Sequence, residues 1–81
     1  MFKALADETR LRILELIAQK ELCACEILEH FEITQPTLSY HMKILAECEL
    51  VAVRKDGAWV RYTLNRKQIG KAGQFLDKLA G

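Results

Sequence analysis

Residues 34–64 read TQPTLSYHMKILAECELVAVRKDGAWVRYTL, and the change of period inside them decides the fold. The first half repeats as a helix. Thr34 stands where an N-cap is wanted, and Pro36 fits a first turn, where its missing N–H would be unpaired anyway. Leu38, Met42 and Leu45 fall on one stripe, so a helix is predicted over about 34–49. The other face is polar where a core helix would be apolar, with Gln35, Thr37, Ser39, Tyr40 and Lys43 on or beside it. From Leu50 the residues alternate and are rich in Val, Trp, Tyr and Thr, which predicts a hairpin over about 50–64. Asp56-Gly57 between the two runs is a strong turn signal. Taken as the two loop residues, they pair Lys55 with Ala58, Arg54 with Trp59, Val53 with Val60 and Val51 with Tyr62. Val51, Val53, Val60 and Tyr62 then face the helices, while Arg54, Trp59 and Arg61 face solvent or a ligand.

Upstream, Phe2, Leu5 and Ala6 suit one short helical turn. Asp7 is placed to cap a helix running to about Gln19 on Leu11, Leu14 and Ile17. A second short helix is expected from about Cys23 to Phe31. Downstream, Asn65 caps a last helix over about 66–80, striped by Ile69, Ala72, Leu76 and Leu79. Helices joined by short links and followed by a two-stranded ribbon describe a winged helix-turn-helix, mainly α with a small β-hairpin. The whole of residues 1–81 is expected to form one domain, since 81 residues leave no room for a second core.

Composition agrees. The chain is 51% hydrophobic and 28% charged, which favours folding over disorder. A chain this short buries only roughly 60–65% of its unfolded surface, so a partner or a second copy is expected. No apolar run approaches the ~20 residues of a membrane span, and the start does not resemble a signal peptide, so a cytoplasmic protein without membrane contact is expected. Three cysteines, an odd count, argue against a disulfide framework. Residues 1–33 carry four basic and seven acidic side chains, and residues 34–67 carry six basic and three acidic. A basic middle joined to a polar helix face suits double-stranded DNA. The candidate contacts are Gln35, Thr37, Ser39, Tyr40 and Lys43 on the helix, and Arg54, Lys55 and Arg61 on the ribbon. His41 flanks the apolar side and reads as a structural histidine. A thiol–disulfide enzyme is disfavoured, since no strand–helix alternation or general base accompanies the cysteines.

Four segments carry a specific resemblance: FKALADETRLRILELI, ELCACEIL, TQPTLSYHMKILAECELV and VRKDGAWVRYTLN. Together they resemble the ArsR/SmtB family of metal-responsive repressors, in the family's order. The resemblance implies a homodimer on an inverted-repeat operator, with helix 34–49 reading the major groove and hairpin 50–64 as the wing. It also implies that the first and last helices form the dimer interface, through Phe2, Leu5, Ile69, Leu76 and Leu79.

The stretch ELCACEIL holds the candidate effector site. On a regular helix, residues two apart point about 200° apart, so Cys23 and Cys25 cannot share an ion unless the helix start is distorted. Thiols at a helix start are expected to ionise more readily, and thiolates prefer soft ions. The segment resembles the arsenic- and antimony-sensing branch, which implies As(III) or Sb(III) as inducer and no catalytic cofactor. In that branch a third cysteine often follows three residues later, where this chain has Leu28, so two sulfurs would act alone. The cadmium/lead branch adds cysteines from an N-terminal arm that this sequence does not carry. The zinc branch needs histidines on the last helix, which has none. Another soft ion such as cadmium or lead, oxidation of the thiols, and two plain packing cysteines remain the alternatives. Cys48 is expected to be a small packing residue.

Overall fold

The structure, a computed structural model, describes residues 2–80, with side chains over 4–80. Phe2, one of the expected dimer residues, therefore has its side chain outside the described set. The order is α1 (Phe2–Leu5), α2 (Glu8–Ile17), β1 (Leu22–Cys23), α3 (Ala24–Leu28), α4 (Gln35–Glu47), β2 (Val51–Asp56), β3 (Trp59–Leu64) and α5 (Arg66–Ala80).

The caps are where side-chain chemistry asks for them. Asp7 Oδ1 accepts the Arg10 N–H at 3.0 Å and starts α2. This backbone N–H, with the Arg10 charge behind it, holds the Asp7 carboxyl below its ordinary value. Thr34 Oγ1 accepts the Thr37 N–H at 3.3 Å and starts α4, with Pro36 in the first turn. Asn65 Oδ1 accepts the Gln68 N–H at 3.3 Å ahead of α5. The expected stripe of α4 is the core face: Leu38, Met42 and Leu45 are buried, together with Ile13, Ile17, Ile27 and Leu50.

Helix α4 stops two residues short of the expected 49, and the stop is built on backbone. Cys48 is the C-cap, and Glu49 turns left-handed at φ 60°. The Glu49 N–H reaches Ala46 O and the Leu50 N–H reaches Leu45 O, both at 3.0 Å. That pair of bonds, with Leu45 packed near Leu50, is a Schellman stop, which normally uses glycine at the left-handed position. The short helix is likewise narrower than expected, Ala24–Leu28 rather than 23–31.

Three sheet features differ from expectation. The hairpin register pairs Asp56 with Trp59, Lys55 with Val60, Arg54 with Arg61, Val53 with Tyr62 and Val51 with Leu64. The loop residues are thus Gly57 and Ala58, not Asp56 and Gly57. Of this pair only Gly57 takes positive φ, at 62°. A glycine first in the loop is the type II′ preference, whereas a type I′ turn needs both residues positive. The slip is two residues, so each side chain keeps its face. Second, Val53 is 49% exposed, and Val60 only half-buried, because the ribbon extends past the helices; Val51 alone of the four is buried. Third, β1 adds a strand that periodicity did not reveal, giving the order β1-β3-β2 with all pairs antiparallel.

Two substitutions test this account by denaturant melts. Glu49→Gly should stabilise the fold by up to about 1 kcal/mol, because it removes left-handed strain while keeping both backbone bonds of the stop. Leu45→Ala should destabilise it by about 2–5 kcal/mol through a core cavity. A Glu49→Gly chain less stable than the parent would refute the reading of the helix stop.

Candidate effector and nucleic-acid interface

The two thiols meet because Cys23 is not in the helix. It is the N-cap of α3, extended at φ −84°, ψ 164°, and it also closes β1. Cys25 sits at the second helical position. The 200° separation of a regular helix does not apply: the two sulfurs face each other, with no disulfide between them. Cys23 is buried and Cys25 exposed. Glu26 completes the turn: its Oε1 accepts the Cys23 N–H at 3.0 Å, and its own N–H turns toward the Cys23 sulfur.

The expectation of easier ionisation fails for Cys23. The neighbouring Cys25 thiol, with burial adding to it, pushes the Cys23 thiol above its ordinary value, and the Glu26 N–H does not offset them. Glu26 moves the other way: the Cys23 N–H holds its carboxyl below the usual range, with Lys20 and Arg61 helping. Among the described residues, no group of three or more His, Cys, Asp or Glu side chains is placed to hold a metal ion. The residues present fit a soft ion bound by two sulfurs, not a closed three- or four-ligand cage. Cys48 is half-buried at the end of α4, where its carbonyl accepts from Gln68 Nε2 at 3.4 Å.

The thiol turn abuts α4. Cys25 opens onto a cleft of about 170 Å³ that is also lined by Leu28, Leu38, Gln35 and Ser39. Gln35, Thr37, Ser39, Tyr40 and Lys43 are all exposed on α4. Thr37 is partly committed to the cap, since its Oγ1 accepts from the Thr34 hydroxyl at 3.0 Å. His41 is buried and structural: its Nδ1 accepts from Arg10 Nη1 at 3.2 Å, while Arg10 Nε donates to Ala4 O at 2.9 Å. That link between α1, α2 and α4 had no sequence signal beyond the position of His41 beside the apolar stripe.

The ribbon arginines share one face, as expected, but acids hold them: Glu21 and Glu26 from the first third of the chain, and Asp56 of the ribbon itself. Arg54 grips Glu21 with two bonds, Nη2 to Oε1 at 2.5 Å and Nε to Oε2 at 3.1 Å. The pair raises the Arg54 pKa and lowers that of Glu21. Arg61 lies 3.5 Å from Asp56 and 4.0 Å from Glu26. Lys55 is exposed on the opposite face of the ribbon, beside Val60.

Three of the expected dimer residues lie around one apolar groove of about 400 Å³. Leu5, Ile69 and Leu76 line it with Leu11, Leu14 and Leu64. Leu79, further along α5, is 71% exposed and Leu76 50%. No helix among the described residues is long and apolar enough to cross a membrane.

Comparison with known proteins agrees with this geometry. Residues 7–53 match the family model described as bacterial regulatory protein, arsR family. The chain is 55% identical over 77 residues to the arsenical resistance operon repressor of Staphylococcus aureus, covering 95% of this chain and 74% of that protein. It is 49% identical to the repressor of the same name from Staphylococcus xylosus, with the same coverage. Among solved structures, an ArsR-like transcriptional regulator from Rhodococcus sp. RHA1 superposes with a TM-score of 0.90 at 26% identity, over 98% of this chain and 72% of that one.

Thiol reactivity at neutral pH should separate the pair. In a timed iodoacetamide reaction read by peptide mass spectrometry, Cys25 should be alkylated well before Cys23. Because the Cys23 pKa is raised, its rate should keep climbing with pH after that of an unperturbed thiol has levelled off. Equal rates for both would contradict the buried, protonated state of Cys23.

Proposed function

The chain belongs to the arsR family of bacterial regulatory proteins, transcriptional regulators and not enzymes, and from that premise we propose a homodimeric repressor that leaves its operator when As(III) or Sb(III) binds Cys23 and Cys25. The observation that carries the reading is the meeting of the Cys23 and Cys25 sulfurs, with no disulfide between them, at the start of α3. Two thiolates supply two of the three positions that a trivalent arsenic ion takes, and solvent or a small thiol supplies the third. The fold supports a direct lever: α3 packs on α4, and β1, which ends at Cys23, pairs with β3 of the ribbon.

On this reading α4 is the recognition helix. Its exposed Gln35, Ser39 and Tyr40 contact base edges, while Thr37 and Lys43 position the helix on the backbone. The β2–β3 ribbon is the wing, with Arg54, Lys55 and Arg61 toward phosphates. A second copy seated on the α5 groove gives a two-fold dimer, which suits an inverted repeat with half-sites about one helical turn apart. The protein acts in the cytoplasm, where thiols are kept reduced. The inducer must bind the DNA-free form better than the bound form.

The same sulfur contact favours a second reading, in which oxidation of the pair to a disulfide is the signal. One titration separates the two. A duplex that the protein selects from a randomised pool is labelled, and binding is followed by fluorescence anisotropy in reducing buffer. Arsenite should weaken wild-type binding by about 5–150-fold, the usual span of allosteric coupling. The Cys23→Ser/Cys25→Ser chain should bind DNA and ignore arsenite, and zinc should act on neither. A wild type that holds DNA unchanged in arsenite defeats the inducer reading, and release by a mild oxidant alone then establishes the second. Separately, Leu76→Glu/Leu79→Glu should halve the mass measured by sedimentation; an unchanged mass would move the dimer interface elsewhere.

A further inference from the structure

One polar side chain of α4 lies on its buried side. His41 is buried with Leu38, Met42 and Leu45, and Arg10 Nη1 donates to its Nδ1 at 3.2 Å. The same guanidinium donates through Nε to Ala4 O at 2.9 Å. One side chain of α2 therefore ties α1 to α4. Helix α1 also carries Leu5, on the wall of the apolar groove proposed above to seat a second copy. The joint thus fixes the recognition helix relative to the dimer seat, and that relation sets half-site spacing. The next residue along α4, Tyr40, stands edge-on to the His41 ring with centroids 5.5 Å apart, and is 60% exposed on the face read as meeting base edges. A shift of His41 is felt there.

The chemistry of this joint admits one protonation state. Arginine offers donors only and keeps its charge, so the ring nitrogen that it meets must hold a lone pair. A neutral ring with its proton on Nε2 supplies one. A second proton would occupy Nδ1, remove the acceptor and set two cations against each other in a buried site. The charged groups that face the ring are Arg10 and Asp7, both from the start of α2. Asp7 attracts a charged ring, but its Oδ1 is committed to the Arg10 N–H that caps α2, whereas the Arg10 guanidinium is in bonding contact. Histidine is the side chain whose charge ordinarily changes between about pH 5 and 8.

We propose that His41 is a positioning residue for the recognition helix, and that operator affinity falls in acid because the ring must stay neutral to hold Arg10. The proposal rests on the repressor reading above and gives that repressor a second negative effector, the proton, acting apart from the thiols. Its sign runs against plain electrostatics, since acid makes the chain more positive and by itself tightens binding to a polyanion.

The test uses His41→Asn. Asparagine places an acceptor oxygen near the position of Nδ1 and gains no proton. Affinity for the selected duplex is measured by anisotropy in reducing buffer without arsenite, from about pH 8 to about pH 5.5. Melting curves at both ends check that the chains are folded. Wild-type affinity should fall by about tenfold, the linkage of one proton over one pH unit, while that of His41→Asn should hold or rise. His41→Gln, a second acceptor that gains no proton, should show the same profile. His41→Leu keeps the bulk and loses the acceptor, so at pH 8 it should bind as weakly as the wild type in acid. The other histidine, His30, is exposed and present in every chain, so it cancels from the comparison. A His41 that only fills space would give parallel profiles in wild type and His41→Asn. Parallel profiles, or a wild type whose affinity holds or rises in acid, overturn the proposal and leave the repressor reading standing. A wild type that selects no duplex at pH 8 overturns both.

Discussion

Leu50 is the point on which the arrangement turns. Its side chain is fully buried against the core, and its backbone is bound in both directions. The N–H donates to Leu45 O at 3.0 Å, closing the end of α4. The carbonyl accepts the Asn65 N–H at 2.9 Å, closing the ribbon onto the start of α5. One residue therefore fixes where α4 stops, where β2 leaves and where the last helix departs. The distance between the polar face of α4 and the wing is set there, and both proposed DNA contacts depend on it. Glu49 bears the cost, held left-handed because the chain must reverse within one residue to bring Leu50 back under Leu45.

The helices were legible because their stripes and caps are local. Asp7, Thr34 and Asn65 each bond three residues ahead, and Leu38, Met42 and Leu45 are four and three apart. The wing was legible in outline only. Asp-Gly marks a turn, but whether both residues or only glycine sits in the loop depends on φ at the residue after it, which propensity does not set. The misreading was harmless to the faces because a register slip of two restores the alternation of side chains. Strand β1 had no such signal. Two residues carry no period, and Leu22-Cys23 is a strand only because β3 is there to receive it.

The candidate site was legible in its residue types but not in its geometry. Helical spacing sets Cys23 and Cys25 apart, and folding joins them, because an N-cap residue takes extended angles while the next residue already turns. The charge pattern was misleading in the opposite sense. Read along the chain, an acidic first third is separate from a basic middle. In the fold, Glu21 and Glu26 come back to the wing and face Arg54 and Arg61. The basic surface is thus partly neutralised by the segment that carries the thiols. Long-range ion pairs leave no trace in local spacing, which is why this coupling could be seen only with the strands in register.

The weakness of these contacts is what suits them to a switch. The pairs are solvent-exposed, and exposed pairs add little to stability. A small domain is held up by its buried leucines and isoleucines, each a contribution that a signal cannot afford to disturb. The contacts between the thiol turn and the wing are instead a cap bond at Cys23 and the carboxylates of Glu21 and Glu26 facing Arg54 and Arg61. Each can be remade without opening the core, and a carboxylate on this face is a rival to phosphate for the guanidinium it meets. A change confined to the first turn of a five-residue helix can then reach the charged face of the wing, while Leu45, Leu50 and Ile27 stay buried where they are.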